Sequence, residues 1–228
     1  MTLHNKYYLL RHGEALSNLD NTVSSWPETF ENPLTENGRK MIQDAAHILE
    51  DKNIELIFAS DLLRTQQTAA IVAEHLKVEV KFDKSSTTFT KKSFFLKGGF
   101  FGKNNVDYKK VSSVKVVLDK RLREIDFGIF NGKKDPDVDA YFNYELERIS
   151  KKIPGGESYD DVASRMMNFL QDVDVARHNK NILIVSHECP LWILWARVQG
   201  IALSEVLKKE VAGKRFLRGE VRELNPKL

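Results

Sequence analysis

Lys6-Tyr7-Tyr8-Leu9-Leu10-Arg11-His12-Gly13-Glu14 runs from strand-forming apolar and aromatic residues straight into an arginine, a histidine and a glycine. This reads as a short buried strand that delivers polar side chains at its carboxyl end. A loop around Trp26 to Pro33 follows. Thr35 is then placed as the N-cap of a helix over 36–51, with Ile42, Ala45, Ala46 and Leu49 on one face. Ile54 to Ala59 is a second strand. Ser60 caps a helix reaching about Leu76, with Leu62, Ala69, Val72 and Ala73 inward, and Val78 to Phe82 is a third, shorter strand. Strand and helix alternate, which predicts a parallel sheet.

The rhythm breaks from Asp83 to about Leu118, a stretch rich in Lys, Phe, Ser and Gly with Gly98-Gly99 as a turn. It reads as an insertion, bounded at about 84–118. Eight lysines face the single acid Asp107 there, so this segment carries the excess behind the chain's net charge of +3. Leu122 to Gly128 is extended or loop, a helix is expected over 137–150, and Pro154-Gly155-Gly156 is a break. Ser158 and Asp161 form a capping-box pattern for a helix to Arg177 whose inner face is Val162, Met166, Phe169, Leu170 and Val173. Ile182 to Val185 is a further buried strand, leading into a helix that starts near Pro190.

At 228 residues, 42% apolar and 29% charged, the chain has the makings of one α/β domain and is neither disordered nor fibrous. The lone cysteine, Cys189, excludes an internal disulfide and a multi-cysteine zinc site, and is expected to be a buried small hydrophobe. The most apolar run, Ile182 to Trp195, is interrupted by Ser186, His187 and Glu188 and is shorter than the roughly 20 residues a membrane helix needs. A cytoplasmic protein with no membrane partner is expected.

Three polar clusters fall at strand ends, where open α/β sheets gather their ligands. They are Arg11-His12-Gly13-Glu14, Ser60-Asp61-Leu62-Leu63-Arg64 and Ser186-His187-Glu188. Two arginines and two histidines meeting in one pocket suit a phosphoryl group. Guanidinium forks match its oxygens, and a neutral imidazole nitrogen is able to attack phosphorus. Neighbouring cations are expected to hold the histidine pKa below its ordinary value.

These residues resemble a known family. The Tyr8 to Glu14 run with Asn18, Pro33-Leu34-Thr35 with Gly38, Ser60-Asp61-Leu62 with Arg64-Thr65, Leu122-Arg123-Glu124 with Phe127-Gly128, Pro154-Gly155-Gly156-Glu157-Ser158, and Ser186-His187 together look like the histidine phosphatase superfamily, phosphoglycerate mutase-like branch. The resemblance implies a three-layer α/β/α sandwich with a mostly parallel central sheet, a single domain over 1–228 and a cap insertion. It also implies that His12 accepts the phosphoryl group, that Arg11, Arg64 and His187 bind it, that Asn18 lines the pocket and that Glu124 protonates the leaving alcohol. The cationic side chains take the part Mg²⁺ would play, so no metal or cofactor is expected.

Glu188 stands where the family usually has a small residue, and Ala15 where it has Ser or Thr. Glu188 either acts on His187 and repels a dianion or points away. Glu157 and Ser158 read as helix-start structure. A zincin helix is ruled out by Leu191, which occupies the place of the second histidine. The Lys/Phe-rich insertion reads first as a lid, because family members place substrate-selecting insertions here; a plain loop comes next, and a nucleic-acid surface is disfavoured. The function expected is a phosphomonoesterase working through phosphohistidine on a small phosphorylated metabolite. The alternatives are mutase-type phosphotransfer and a non-catalytic module binding a phospholigand or polyanion.

Overall fold

A computed structural model describes residues 2–76, 81–82, 115–208 and 215–225. Along these run β1 (Lys6–Arg11), α1 (Leu16–Leu19), α2 (Glu36–Ile48), β2 (Leu56–Ala59), α3 (Leu63–His75), β3 (Lys81–Phe82) and β4 (Lys115–Leu118). They continue with α4 (Asp135–Ala140), α5 (Tyr159–Ala176), β5 (Asn181–Ser186), α6 (Glu188–Val198), α7 (Leu203–Lys208) and β6 (Val221–Glu223). The strands form one six-stranded sheet in the order β3-β4-β2-β5-β1-β6. Every pairing is parallel except that of β1 with β6.

Strand side chains alternate between two faces, and here both faces are covered. Tyr7, Leu9, Phe58, Ile182 and Ile184 pack with Met166, Phe169 and Leu170 of α5 and Leu191 and Leu194 of α6. Tyr8, Leu10, Ile57, Leu183 and Val185 pack with Ile42 and Ala46 of α2 and Ala69 and Val72 of α3. The result is the expected α/β/α three-layer sandwich. A third, smaller cluster of Val23, Val138, Phe142 and Ile153 lies apart from the sheet.

Register is what builds the site. Arg11 pairs with Ser186 and Ala59 with Val185, so β1, β2 and β5 end almost level with β5 in the middle. The ladder runs one step further, with His12 N–H donating to Ser186 O (3.1 Å) and Ser60 N–H to Val185 O (3.1 Å). The next residue on each strand is therefore His12, Ser60 or His187.

Several sequence expectations are corrected. Residues 115–118 belong to the sheet as β4, so the insertion ends before them; its lysines and phenylalanines from 84 to 114 lie outside the described residues. Only 81–82 of the expected third strand are described as strand. The helix expected over 137–150 is the short α4 followed by a 3-10 turn over Glu145–Ile149. Between them lie Phe142, which turns into the small cluster, and Asn143, whose backbone and side-chain N–H groups donate to Glu147 of the turn. The N-cap of α3 is Leu62 and not Ser60. The other caps stand as read: Thr35 accepts from Gly38 N–H, and Ser158 and Asp161 close their capping box.

Candidate active site

His12 is almost fully buried. Its Nδ1 lies 2.7 Å from the carbonyl oxygen of Gly13. A carbonyl only accepts, so Nδ1 carries the ring proton and Nε2 presents its lone pair. Arg64 Nε donates toward that nitrogen from 3.3 Å, and the His187 ring stands 5.1 Å away, centroid to centroid, tilted by 64°. Burial, then the charge of Arg64, then that of Arg11, hold the His12 pKa well below 6.5. The expected direction is right, but desolvation outweighs the cations to which it was ascribed. His187 is lowered likewise, by burial first and Arg64 next.

Arg64 enters from the first turn of α3 and is itself buried. Its Nη1 pairs with Glu28 Oε1 at 3.1 Å and its Nη2 donates to Ser24 O at 2.9 Å. Arg11 Nη1 donates to Phe216 O at 2.6 Å and pairs with Glu188 Oε2 at 2.7 Å. Glu188 is thus turned onto Arg11, with Arg215 Nε at 3.8 Å from its other oxygen. His187 Nε2 lies 3.0 Å from Ser60 Oγ. Two buried nitrogens of this group, Arg11 Nε and His187 Nδ1, have no hydrogen-bond partner. Buried polar nitrogens are rarely left so without a reason, and an anion's oxygens would supply one for Arg11 Nε and, where it carries the ring proton, for His187 Nδ1.

Glu124 is fixed from behind. Arg123 forks onto Asp61 with two 2.6 Å bonds and stacks 4.1 Å from the Trp26 ring. Arg165 donates to Arg121 O and Glu124 O, and Glu157 holds Arg165 while accepting from Asp126 N–H. The Pro154 to Ser158 motif thus supports the loop that carries Glu124. At Gly156 an added Cβ would come within 2.2 Å of Asp126 O, so the two loops touch backbone to backbone. Burial pushes the Glu124 pKa up to about 7, against the pull of the Ile125 N–H bond and of Arg64 and Arg11.

Arg11, His12, Arg64, His187 and Glu124 are brought together. Asn18 is engaged elsewhere, its Oδ1 accepting from Ala15 N–H at 3.0 Å, which leaves only its Nδ2 free of that bond. Glu28 and Ser24 are not legible in sequence, since loop residues carry no periodic signal, and Ser60 reads as a cap and as part of a strand-end cluster but with no role of its own in the site. Cys189 is partly buried, packs against the larger core and has its thiol pKa pushed well up by burial. Beyond Glu124 lies a cavity of about 240 Å³. Its walls carry the carboxylates of Asp135, Asp139, Glu145, Glu157 and Glu188 against the guanidiniums of Arg11, Arg148 and Arg215.

The family model of the histidine phosphatase superfamily (branch 1) matches residues 7–85 and 107–215. The chain belongs to the histidine phosphatase superfamily. Between the two matched stretches lies 86–106, inside the insertion expected at 84–118. This histidine phosphatase is 27% identical over 199 residues to a probable phosphoglycerate mutase GpmB of Erwinia tasmaniensis, covering 85% of this chain and 74% of that one. It is 23% identical over 205 residues to phosphoserine phosphatase 1 of Hydrogenobacter thermophilus, covering 88% and 79%. Among solved structures, the α-ribazole phosphatase of Shigella flexneri superposes with a TM-score of 0.65 at 24% identity over 96% of this chain and 89% of that one, a likeness of fold. Among the described residues no helix of this histidine phosphatase is long and apolar enough to cross a membrane.

Proposed function

We propose that the chain is a phosphomonoesterase that carries the phosphoryl group on His12 and acts on a small phosphorylated metabolite. The observation behind this reading is the tautomer of His12, fixed by Gly13 O so that Nε2 keeps its lone pair inside a cluster of guanidiniums. Nε2 attacks phosphorus in line, and the bond from phosphorus to the ester oxygen breaks. Glu124 gives its proton to the departing alkoxide. Arg11, Arg64 and the Nδ1 side of His187 hold the equatorial oxygens, and Asn18 has Nδ2 to add. The Glu124 carboxylate then takes a proton from water, whose oxygen attacks phosphorus. The P–N bond breaks, releasing inorganic phosphate and restoring both groups.

Hydrolysis is preferred over mutase chemistry on the ground of the adjoining cavity. A phosphoglycerate mutase must seat a substrate whose alcohol portion is itself anionic. Among the described residues the wall holds six acids, Glu124 included, and three guanidiniums that are already engaged: Arg148 with Asp139, Arg215 near Glu188, and Arg11 with Glu188 and the phosphate, while Glu157 is paired with Arg165. Such a wall disfavours a second negative group, so the leaving alcohol is expected to be neutral or cationic. A panel of phosphomonoesters assayed for phosphate release, with His12→Ala as the blank, tests the reading. Isomerisation of 3-phosphoglycerate with little release of phosphate would favour the mutase. Phosphate binding without turnover on any ester between about pH 5 and 8 would favour a non-catalytic module.

A further inference from the structure

At the far end of α2 and α3 three side chains converge that the phosphate chemistry does not use. His47 lies in the last turn of α2, Glu50 just beyond it, and His75 is the last residue of α3. Both imidazoles address the same carboxylate oxygen: His47 Nδ1 lies 2.9 Å and His75 Nε2 2.6 Å from Glu50 Oε1. The rings stand edge to face with centroids 4.4 Å apart, and one ligand atom from each residue falls within 4.8 Å of the others. We propose that His47, Glu50 and His75 form a site for Zn²⁺, held by Nδ1, a carboxylate oxygen and Nε2, with water completing a tetrahedron. Two neutral imidazoles and a carboxylate are a donor set that zinc accepts.

Two further features favour a cation at this place. Each helix is 13 residues long, and both direct their carboxyl ends, the negative ends of their dipoles, at this cluster. The side chains also have room to adjust. The ligand-to-ligand edges of a tetrahedral zinc with bonds near 2.0–2.1 Å are about 3.3 Å, so the 2.9 Å contact must open by about 0.4 Å and the 2.6 Å contact by about 0.7 Å. His47 and Glu50 are 65% and 56% exposed at the side chain and His75 22%, so rotation about their side-chain bonds provides that opening. Because α2 and α3 both begin at the carboxyl ends of the strands, the site lies about 20 Å from the phosphate cluster, one helix length away. A bound ion would clip the two helices together. The sequence gives no sign of it, since His47 and His75 meet only when the helices pack.

The test is calorimetric titration of the full chain with ZnCl₂ in phosphate-free buffer, paired with thermal melts. Wild type is expected to take up one equivalent, with a melting temperature raised by about 5–10 °C at a hundredfold excess over Kd. His47→Ala and His75→Ala should each weaken uptake at least about tenfold, and Glu50→Gln should weaken it as well. His47 and Glu50 are largely exposed, so the metal-free His47→Ala and Glu50→Gln variants should melt close to wild type, and His75→Ala, with its side chain 22% exposed, slightly below it. His178→Ala serves as control, because His178 and His4 form a separate ring pair, and should bind zinc as wild type does. Absence of uptake by wild type, or uptake unchanged by His47→Ala and His75→Ala, would overturn the site.

Discussion

His12 and Glu124 have their pKa values moved in opposite directions by the same cause. Burial disfavours the imidazolium of one and the carboxylate of the other, so the proposed nucleophile is neutral and the proposed acid protonated over a shared range. The range runs from the depressed pKa of His12 up to about 7. Accordingly kcat/KM should decline as pH rises through about 7, where free enzyme loses the Glu124 proton. Glu124→Gln should cost about 10²–10⁴ in kcat and erase that basic limb; a limb persisting in the variant would assign it to another group. The linkage has a matching sign. A carboxyl whose folded pKa lies above its ordinary 4.5 loses stabilisation as pH rises from 4.5 to about 7, so the melting temperature of Glu124→Gln relative to wild type should climb over that window and level off above it. Glu28 acts through Arg64. Glu28→Gln keeps the shape but removes the charge that faces Nη1, and kcat/KM should drop roughly tenfold, about 1.4 kcal/mol of transition-state stabilisation. Unchanged kinetics would make Glu28 a bystander.

At the scale of elements, the loop leaving β1 is seated on the start of α2 by two glycines. A Cβ on Gly38 would come within 2.0 Å of Glu14 O, and one on Gly13 within 2.3 Å of Gly38 O. These are backbone contacts with no flexible neighbour to give way. Gly38→Ala should therefore lower stability by about 3 kcal/mol or more and displace His12 enough to remove most activity. Ser158→Ala removes the side-chain cap of α5 but leaves Glu157 and Arg165, which hold the Glu124 loop, in place, and should cost about 1 kcal/mol, a shift of about 2–4 °C in melting temperature, with near-normal turnover. Paired melts and rates check both; an active, fully stable Gly38→Ala protein would contradict the packing argument. The same elements mark what a sequence discloses. β1, β2 and β5 were legible because their apolar runs end abruptly in polar residues. β4 reads as part of the insertion because Lys115-Val116-Val117-Leu118 adjoins a lysine-rich stretch. β6 escaped because the edge strand Val221-Arg222-Glu223 has no apolar run.

For the whole molecule, the register of three strands accomplishes most of the assembly. Residues 11, 12, 64, 124 and 187 meet because β1, β2 and β5 end level, and because Arg123, Glu157 and Arg165 fix the loop bearing Glu124. Motif order in the chain foretold which residues meet, while the partners that aim them (Glu28, Ser24, Phe216 O) became visible only in three dimensions. The acidic cavity is likewise a property of the fold, drawn from Arg11 and from residues between 124 and 215. The proposed phosphoryl transfer through His12 is checked most directly by rapid acid-free quenching of the full chain during turnover, followed by peptide mapping by mass spectrometry. The expected result is one phosphoryl group on the peptide containing His12, bonded at Nε2, labile to acid and missing from His12→Ala. A phosphoryl group on another residue, or wild-type turnover by His12→Ala, would contradict it.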